Sequence, residues 1–574
     1  MAVPFNRDEP SQSDIQRWFL DAPEVPDGTF EFALVLGGTV SAGAYTAGAV
    51  DFLIEALDCL TAAQQRGEAP QHKVVLKLVT GTSGGGVNAA IAARALAYDY
   101  PHVGHSTPQV SQRTGNPFYD VWVNTLQLDR FLDPKDVSGQ VRSALNGAAI
   151  DDAAAQIVHF APNPPKVRPW VASPLRVILT LTSLRGVPYS TDLGGGLSQS
   201  YIDHADYARF ACVYPGQQLL EPRPDEQVLC FTGEHLKQAT GWEEFSQFAR
   251  ATAAFPLGFP ARALTRPSEH YRWRVLPYPP GPKGAETYIV RRPDWAAMAS
   301  PAADVPDDWN FLCVDGGATN NEPIELARTA LAGLLGRNPR NPATANRAVW
   351  LIDPFAGRAD LGPQKQTTFL GDAGAVVTTL TQQTRYDSGD ILMATDPNVF
   401  SRFMLSPRRG NITGEDAIAS GGVGAFIGFA CPAFMRHDYL LGRANCQEFL
   451  RTQFNLADTN PVFKDWTEEQ RAEFRMSTFP SKANPNREAR LPIIPLVGAA
   501  AMPEALDPWP RGKLDPEHYR NAIEARFRAI FELELSGDLA KSALGWLGAH
   551  ATQKYVADYL INAMKAYLAK AELA

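Results

Sequence analysis

None of the six cysteines (Cys59, Cys212, Cys230, Cys313, Cys431 and Cys446) belongs to a C-x-x-C pair, and all stand far apart in the chain. This removes the sequence grounds for a zinc site or a thioredoxin-like redox pair, and free thiols in a reducing compartment are expected. Clustered lysine and arginine are missing too. The formal net charge is -9, whereas a nucleic-acid surface concentrates cations against phosphates, so no nucleic-acid partner is expected. Met1–Asp21 has no apolar core and carries Asp8, Glu9 and Asp14; no secretory signal is expected, and the protein is read as cytoplasmic. There are no internal repeats and no extended low-complexity tracts. One uncharged run, Ala417–Met435, approaches the length of a membrane span. Gly421, Gly422, Gly424, Gly428 and Pro432 interrupt any regular helix there, so a buried or pocket-lining segment is expected instead.

What is present begins with hydrophobic residues at 45% of 574, enough for a sizeable core. After a polar lead-in over 1–28, Phe30–Leu36 reads as a strand that runs into Gly37-Gly38-Thr39 and then into a helix with apolar residues at i, i+3, i+4 and i+7 from Ala49 to Leu60. A second strand over 74–79 meets Gly81-Thr82-Ser83-Gly84-Gly85 and a small-residue helix over 87–98. Two successive strand, turn and helix units predict a mostly parallel sheet covered by helices. Further strands are expected at 176–182, 228–231 and 310–314, and 348–352 is expected to close the sheet. Irregular insertions near 99–170 and 261–308 interrupt this unit, which spans 29–355, and the first could cover the site. From 356 to 574 the pattern is mainly helical (370–394, 437–454, 515–533, 537–572). The last of these carries the stripe Tyr555, Val556, Tyr559, Leu560, Met564, Tyr567 and Leu568, read as a docking face.

The G-x-S-x-G at the second strand end has the form of a nucleophile elbow, a sharp turn that lifts the Ser83 hydroxyl off the sheet. Acyl transfer then needs a base and oxyanion donors. Asp315, at an apolar strand end before Gly316-Gly317, is the candidate base, because parallel strands bring such ends to the rim where the elbow points. Of the ten histidines only His437 competes, and it reads as part of a helix start. An aspartate of ordinary pKa, about 3.9, is a feeble base, so the site must be dry. Oxyanion donors are expected from the amides of Gly37, Gly38 and Thr39. A dinucleotide turn is disfavoured, since a strict G-x-G-x-x-G is absent.

Taken in order, Gly37-Gly38-Thr39 with Gly43-Ala44-Tyr45-Thr46-Ala47-Gly48, the serine motif Gly81 to Gly85, the loop Ala253–Pro260, and Asp315-Gly316-Gly317 with Asn320-Asn321-Glu322-Pro323 resemble the patatin-like phospholipase family over about 30–355. The resemblance implies a three-layer α/β/α sandwich and a Ser83–Asp315 dyad that hydrolyses lipid esters without metal or cofactor. It also implies peripheral contact with a membrane surface. The chain departs from the family where many members have a third glycine and an arginine, offering Thr39-Val40-Ser41-Ala42. A second reading, a weak or inactive lipid-binding scaffold, follows from that departure and from the large C-terminal part; a third is an acyltransferase that uses the same acyl-enzyme. A stretch over 434–450 is similar to C-terminal parts of larger bacterial members, with no role derivable from its residues.

Overall fold

A computed structural model describes residues 11–14, 17–18, 24–108, 113–162, 164–218, 222–231, 241–278, 287–295, 307–333, 338–355, 399–476, 489–534 and 543–574. The helix expected over 370–394, most of the polar lead-in and parts of the second insertion lie outside them.

Strand β1 (Thr29–Leu36) is buried along its whole length. Its alternate residues serve two cores: Phe30, Phe32, Leu34 and Leu36 join the larger, and Ala33 and Val35 the smaller. A strand covered on both faces reads as a continuous apolar run, which is why it was visible in the sequence. Chain order continues with α1 (Gly43–Gln65), β2 (Lys73–Gly81), α2 (Gly84–Ala95), α3 (Ala148–Val158), β3 (Val171–Gly194), β4 (Leu197–Val213), β5 (Glu226–Cys230), α4 (Gly241–Thr252), β6 (Arg262–Pro267), β7 (Asp308–Asp315), α5 (Ile324–Ala332), β8 (Arg347–Ile352), β9 (Arg402–Leu405), α6 (Pro432–Thr452), α7 (Arg520–Glu534) and α8 (Ala543–Lys570). The sheet order is β9-β8-β1-β2-β3-β4-β5, with β7 paired to β3 and β6. From β9 to β3 every pairing is parallel. Residues of α5 cover the smaller core, and α1, α2 and α6 contribute to the larger. The protein is thus an α/β/α sandwich with a mostly parallel central sheet and a helical C-terminal region.

Three expectations about the sheet change. Residues 347–352 do not close the sheet, because β9 pairs outside β8. β4 is a long strand with no counterpart in the sequence reading; its first half is exposed and carries Ser198, Gln199, Ser200 and Asp203, so no apolar alternation marks it. The third concerns β7. It runs antiparallel to β3, whereas β2 runs parallel to it, and both use the same edge: Gly81 stands opposite Leu179, and Asp315 opposite Leu181. Asp315 therefore reaches the elbow because two strands meet end to end, and not because parallel strands share a rim. Two strand residues span about 7 Å, which sets the separation of these ends.

Helices α1 and α6 touch backbone to backbone. A Cβ on Gly48 would lie 1.8 Å from the Tyr439 carbonyl oxygen, and one on Gly442 2.0 Å from that of Tyr45. Beside this contact the buried Asp51 carboxylate accepts hydrogen bonds from Arg443 Nη1 (2.5 Å), Tyr439 Oη (2.8 Å), Asn116 Nδ2 (2.9 Å) and His102 Nδ1 (2.9 Å). Burial alone would raise its pKa, yet His102, Arg443 and Tyr439 hold it down at about 2. The 434–450 stretch thus clamps the C-terminal region onto the sheet domain. Gly48→Ala is expected to destabilise the protein by about 3 kcal/mol, read as a lower thermal midpoint, because backbone cannot yield as a side chain can.

On α8 the buried stripe is Val556, Ala557, Ile561, Met564 and Leu568, while Tyr555 and Tyr559 face solvent. The docking face is rotated from the one expected. No helix among the described residues is long and apolar enough to cross a membrane, and Ala417–Ala419 and Phe429 are buried.

Candidate active site

Ser83 has φ 55° and ψ -128°, a strained conformation for a residue with a side chain, of the kind that persists where neighbours enforce it. The enforcement is visible on both sides. Thr82 N–H donates to the Leu36 carbonyl (3.1 Å), Ser83 N–H to Thr252 Oγ1 (3.0 Å), and Thr82 Oγ1 to the Asn320 carbonyl (3.1 Å). Gly81 ends β2, and Gly84 and Gly85 open α2. A Cβ on Gly85 would fall 2.2 Å from the Leu36 carbonyl oxygen, so the helix can press against the first strand only with glycine there.

Asp315 ends β7, and Gly316 and Gly317 form the turn after it. Its N–H donates to the Ala254 carbonyl (2.9 Å), which ties the Ala253–Pro260 loop to the acid. Oδ1 accepts the Gly317 N–H at 2.7 Å. Oδ2 is buried without a partner at full hydrogen-bonding geometry. Burial pushes the Asp315 carboxyl up to about 7, against the opposing pull of the Ser83 hydroxyl and the Gly317 amide. Serine and acid are therefore neighbours in the fold.

The glycine turn is held less openly than its sequence implies. Gly37 N–H donates to the Ile352 carbonyl and Gly38 N–H to the Asn321 carbonyl, each at 3.2 Å. Of the three amides expected to face an oxyanion, only that of Thr39 has no acceptor among the described residues. The Asn320-Asn321 motif thereby gains a physical role: its carbonyls fasten both the turn and the elbow. Val40 follows with φ 45°, and Ser41 Oγ donates to the carbonyls of Ala425 and Ser420.

A cavity with an almost wholly apolar lining opens beside Ser83 and Gly84. The first insertion supplies Trp122, Leu126, Phe131, Ile150 and Ile157 to its wall, the 253–260 loop Phe255 and Phe259, and the C-terminal region Phe429. Trp122 is fixed by Nε1–H to Asn88 Oδ1 (2.8 Å), while Asn88 Nδ2 donates to the Gly43 carbonyl (2.9 Å). The wall residues of the insertion were missed as site residues, although their apolar character within a polar, proline-rich stretch was the available signal, whereas Phe429 falls in the run expected to be buried or pocket-lining. His437 is elsewhere: it is buried, bonded to Asp438 (3.0 Å) and set edge-on to Trp509, and it does not line the cavity.

Comparison with known proteins follows the same lines. The family model described as patatin-like phospholipase matches residues 34–328. The uncharacterized protein y4iI of Sinorhizobium fredii (strain NBRC 101917 / NGR234) is 32% identical over 544 residues, which cover 88% of this chain and 76% of that protein. The crystal structure of VipD from Legionella pneumophila aligns over 74% of each chain at 9% identity with a TM-score of 0.19, a likeness too low to carry an argument. With the elbow, the strand-end acid and the sandwich in place, the chain belongs to the patatin-like phospholipase family and, at the level of that family, is a lipid hydrolase.

Proposed function

We propose that the protein is a serine acyl hydrolase of lipid carboxylic esters, with Ser83 as nucleophile and Asp315 as the base that receives its proton. The observation that carries this reading is the buried Asp315 carboxyl, raised to about 7 and directed at Ser83. A base works best when its pKa lies near the working pH, and burial gives this acid the strength an ordinary aspartate lacks. Attack on the ester carbonyl would form an acyl-Ser83, with the proton passing through Asp315 to the leaving alcohol. Water would then be activated by the same carboxylate to release the acid. The apolar cavity supports an acyl chain as the bound portion, and peripheral contact with a lipid surface follows from such a substrate. An inactive scaffold has less support, because it has no use for a carboxyl so costly to ionise.

The test is a pH profile. Only the ionised Asp315 can take a proton, so kcat/KM for a lipid ester is expected to rise with pH and level off above an apparent pKa of about 7. Stability should move oppositely. The folded pKa lies above the unfolded one, so the folded state holds a proton the unfolded chain has lost; stability is full below about pH 4 and falls as pH rises through about 7, by about 4 kcal/mol in all. Activity levelling off already at about pH 4 would rule out Asp315 as this base.

A further inference from the structure

Thr39 occupies the place at which the chain departs from its family, and its hydroxyl has no evident structural employment. The residue is 1% exposed, and Oγ1 is buried with no hydrogen-bond partner among the described residues. A buried hydroxyl in that state lowers stability and calls for an explanation, of which a catalytic role is one. Its location is informative. A Cβ built on Gly84, the residue after Ser83, would lie 2.3 Å from Thr39 Oγ1 and 3.0 Å from the Val40 carbonyl oxygen. The hydroxyl therefore rests against the first turn of α2, at the elbow, in space that exists only because residue 84 has no side chain. The donors around it are few: the Gly37 and Gly38 amides are already given to Ile352 and Asn321.

We propose that the Thr39 hydroxyl is an oxyanion donor, supplementing the Thr39 amide where the family's glycine amides are here committed elsewhere. This rests on the reading of Ser83 as nucleophile. As Ser83 Oγ bonds to the ester carbonyl carbon and its proton passes to Asp315, the carbonyl π pair moves onto oxygen. The Thr39 O–H, whose hydrogen rotates freely about the C–O bond, donates to that oxygen. When the tetrahedral intermediate collapses, the pair returns to the C=O bond, the bond to the leaving oxygen breaks, and that oxygen takes the proton held by Asp315. Thr39 transfers no proton and needs no co-reactant. The same group explains why a turn without the third glycine can still serve acyl transfer.

The experiment compares the full chain with Thr39→Ser, which keeps the hydroxyl, and Thr39→Val, which replaces it by a methyl group, using a p-nitrophenyl acyl ester. Thr39→Val is expected to lose about 100-fold in kcat with KM unchanged, the pattern of an interaction made only in the transition state. Thr39→Ser should retain most of the rate. The thermal midpoint of Thr39→Val should not fall, because an unpartnered hydroxyl has no hydrogen bond to lose. Wild-type kcat in Thr39→Val overturns the proposal while leaving the Ser83 reading intact, and so does a Thr39→Ser variant as slow as Thr39→Val. Turnover unchanged in Ser83→Ala overturns both. If Thr39→Val does not fold, Thr39→Ala against Thr39→Ser carries the same comparison.

Discussion

Ser83→Ala is expected to lower kcat/KM for a lipid ester by roughly 10⁴- to 10⁶-fold and to abolish covalent labelling by a fluorophosphonate probe. The size of the effect follows from the proposed role: without the hydroxyl no acyl-enzyme forms, and only binding and the remaining oxyanion donors can assist direct attack by water. The fold should not suffer. Alanine keeps a Cβ at the φ of 55° already tolerated there, and the backbone bonds from Thr82 to Leu36 and from Ser83 to Thr252 do not involve the lost hydroxyl. Labelling that persists in the variant would mean that another nucleophile does the work.

Asp315→Asn should produce the second large change, and in two directions at once. Turnover is expected to fall by roughly 10⁴-fold, since an amide cannot accept the Ser83 proton. Thermal stability at pH 8 is expected to rise by a few degrees. The wild-type carboxylate must ionise at that pH in a fully buried place, with Oδ2 unpartnered, whereas the amide is neutral and keeps an oxygen for the Gly317 N–H. Below about pH 4 the two proteins should be nearly equal in stability, because the wild-type acid is then protonated in both folded and unfolded states. A variant less stable than wild type at pH 8 would show that burial is not what raises this group. A gain in stability with a loss of turnover is what an active site built at the expense of the fold predicts.

Much of this arrangement was legible in the amino-acid order, and the reasons are physical. Ser83 and Asp315 could be singled out as candidates because one follows and the other ends a strand with an apolar run, closed by glycines whose spacing the turn requires. β1 and β8 were visible for the same reason. What escaped notice depends on groups that leave no local mark. The antiparallel approach of β7 is decided by its pairing with β3 and β6, residues distant in sequence. The first insertion was read as cover, but Trp122 and Phe131 enter the site only through contacts with Asn88 and Phe259. The amides of Gly37 and Gly38 looked available because their acceptors, Ile352 and Asn321, lie some three hundred positions away. The 434–450 stretch yielded no role from its residues, because what Gly442 meets is the Tyr45 backbone, some four hundred positions earlier.

The meeting of β2 and β7 along one edge of β3 makes the spacing of the proposed catalytic pair a matter of ladder registration. Loops can lengthen, and the insertions can be rebuilt, without altering the gap between alcohol and acid, since the acid ends β7 and the serine sits in the short turn directly after β2. A slip of β7 by two residues, by contrast, would carry the carboxylate about 7 Å along the strand and part the two groups. Variation in this chain should therefore gather in the segments that shape the cavity, where it would retune the choice of substrate, while residues 179–183 and their partners tolerate neither insertion nor deletion.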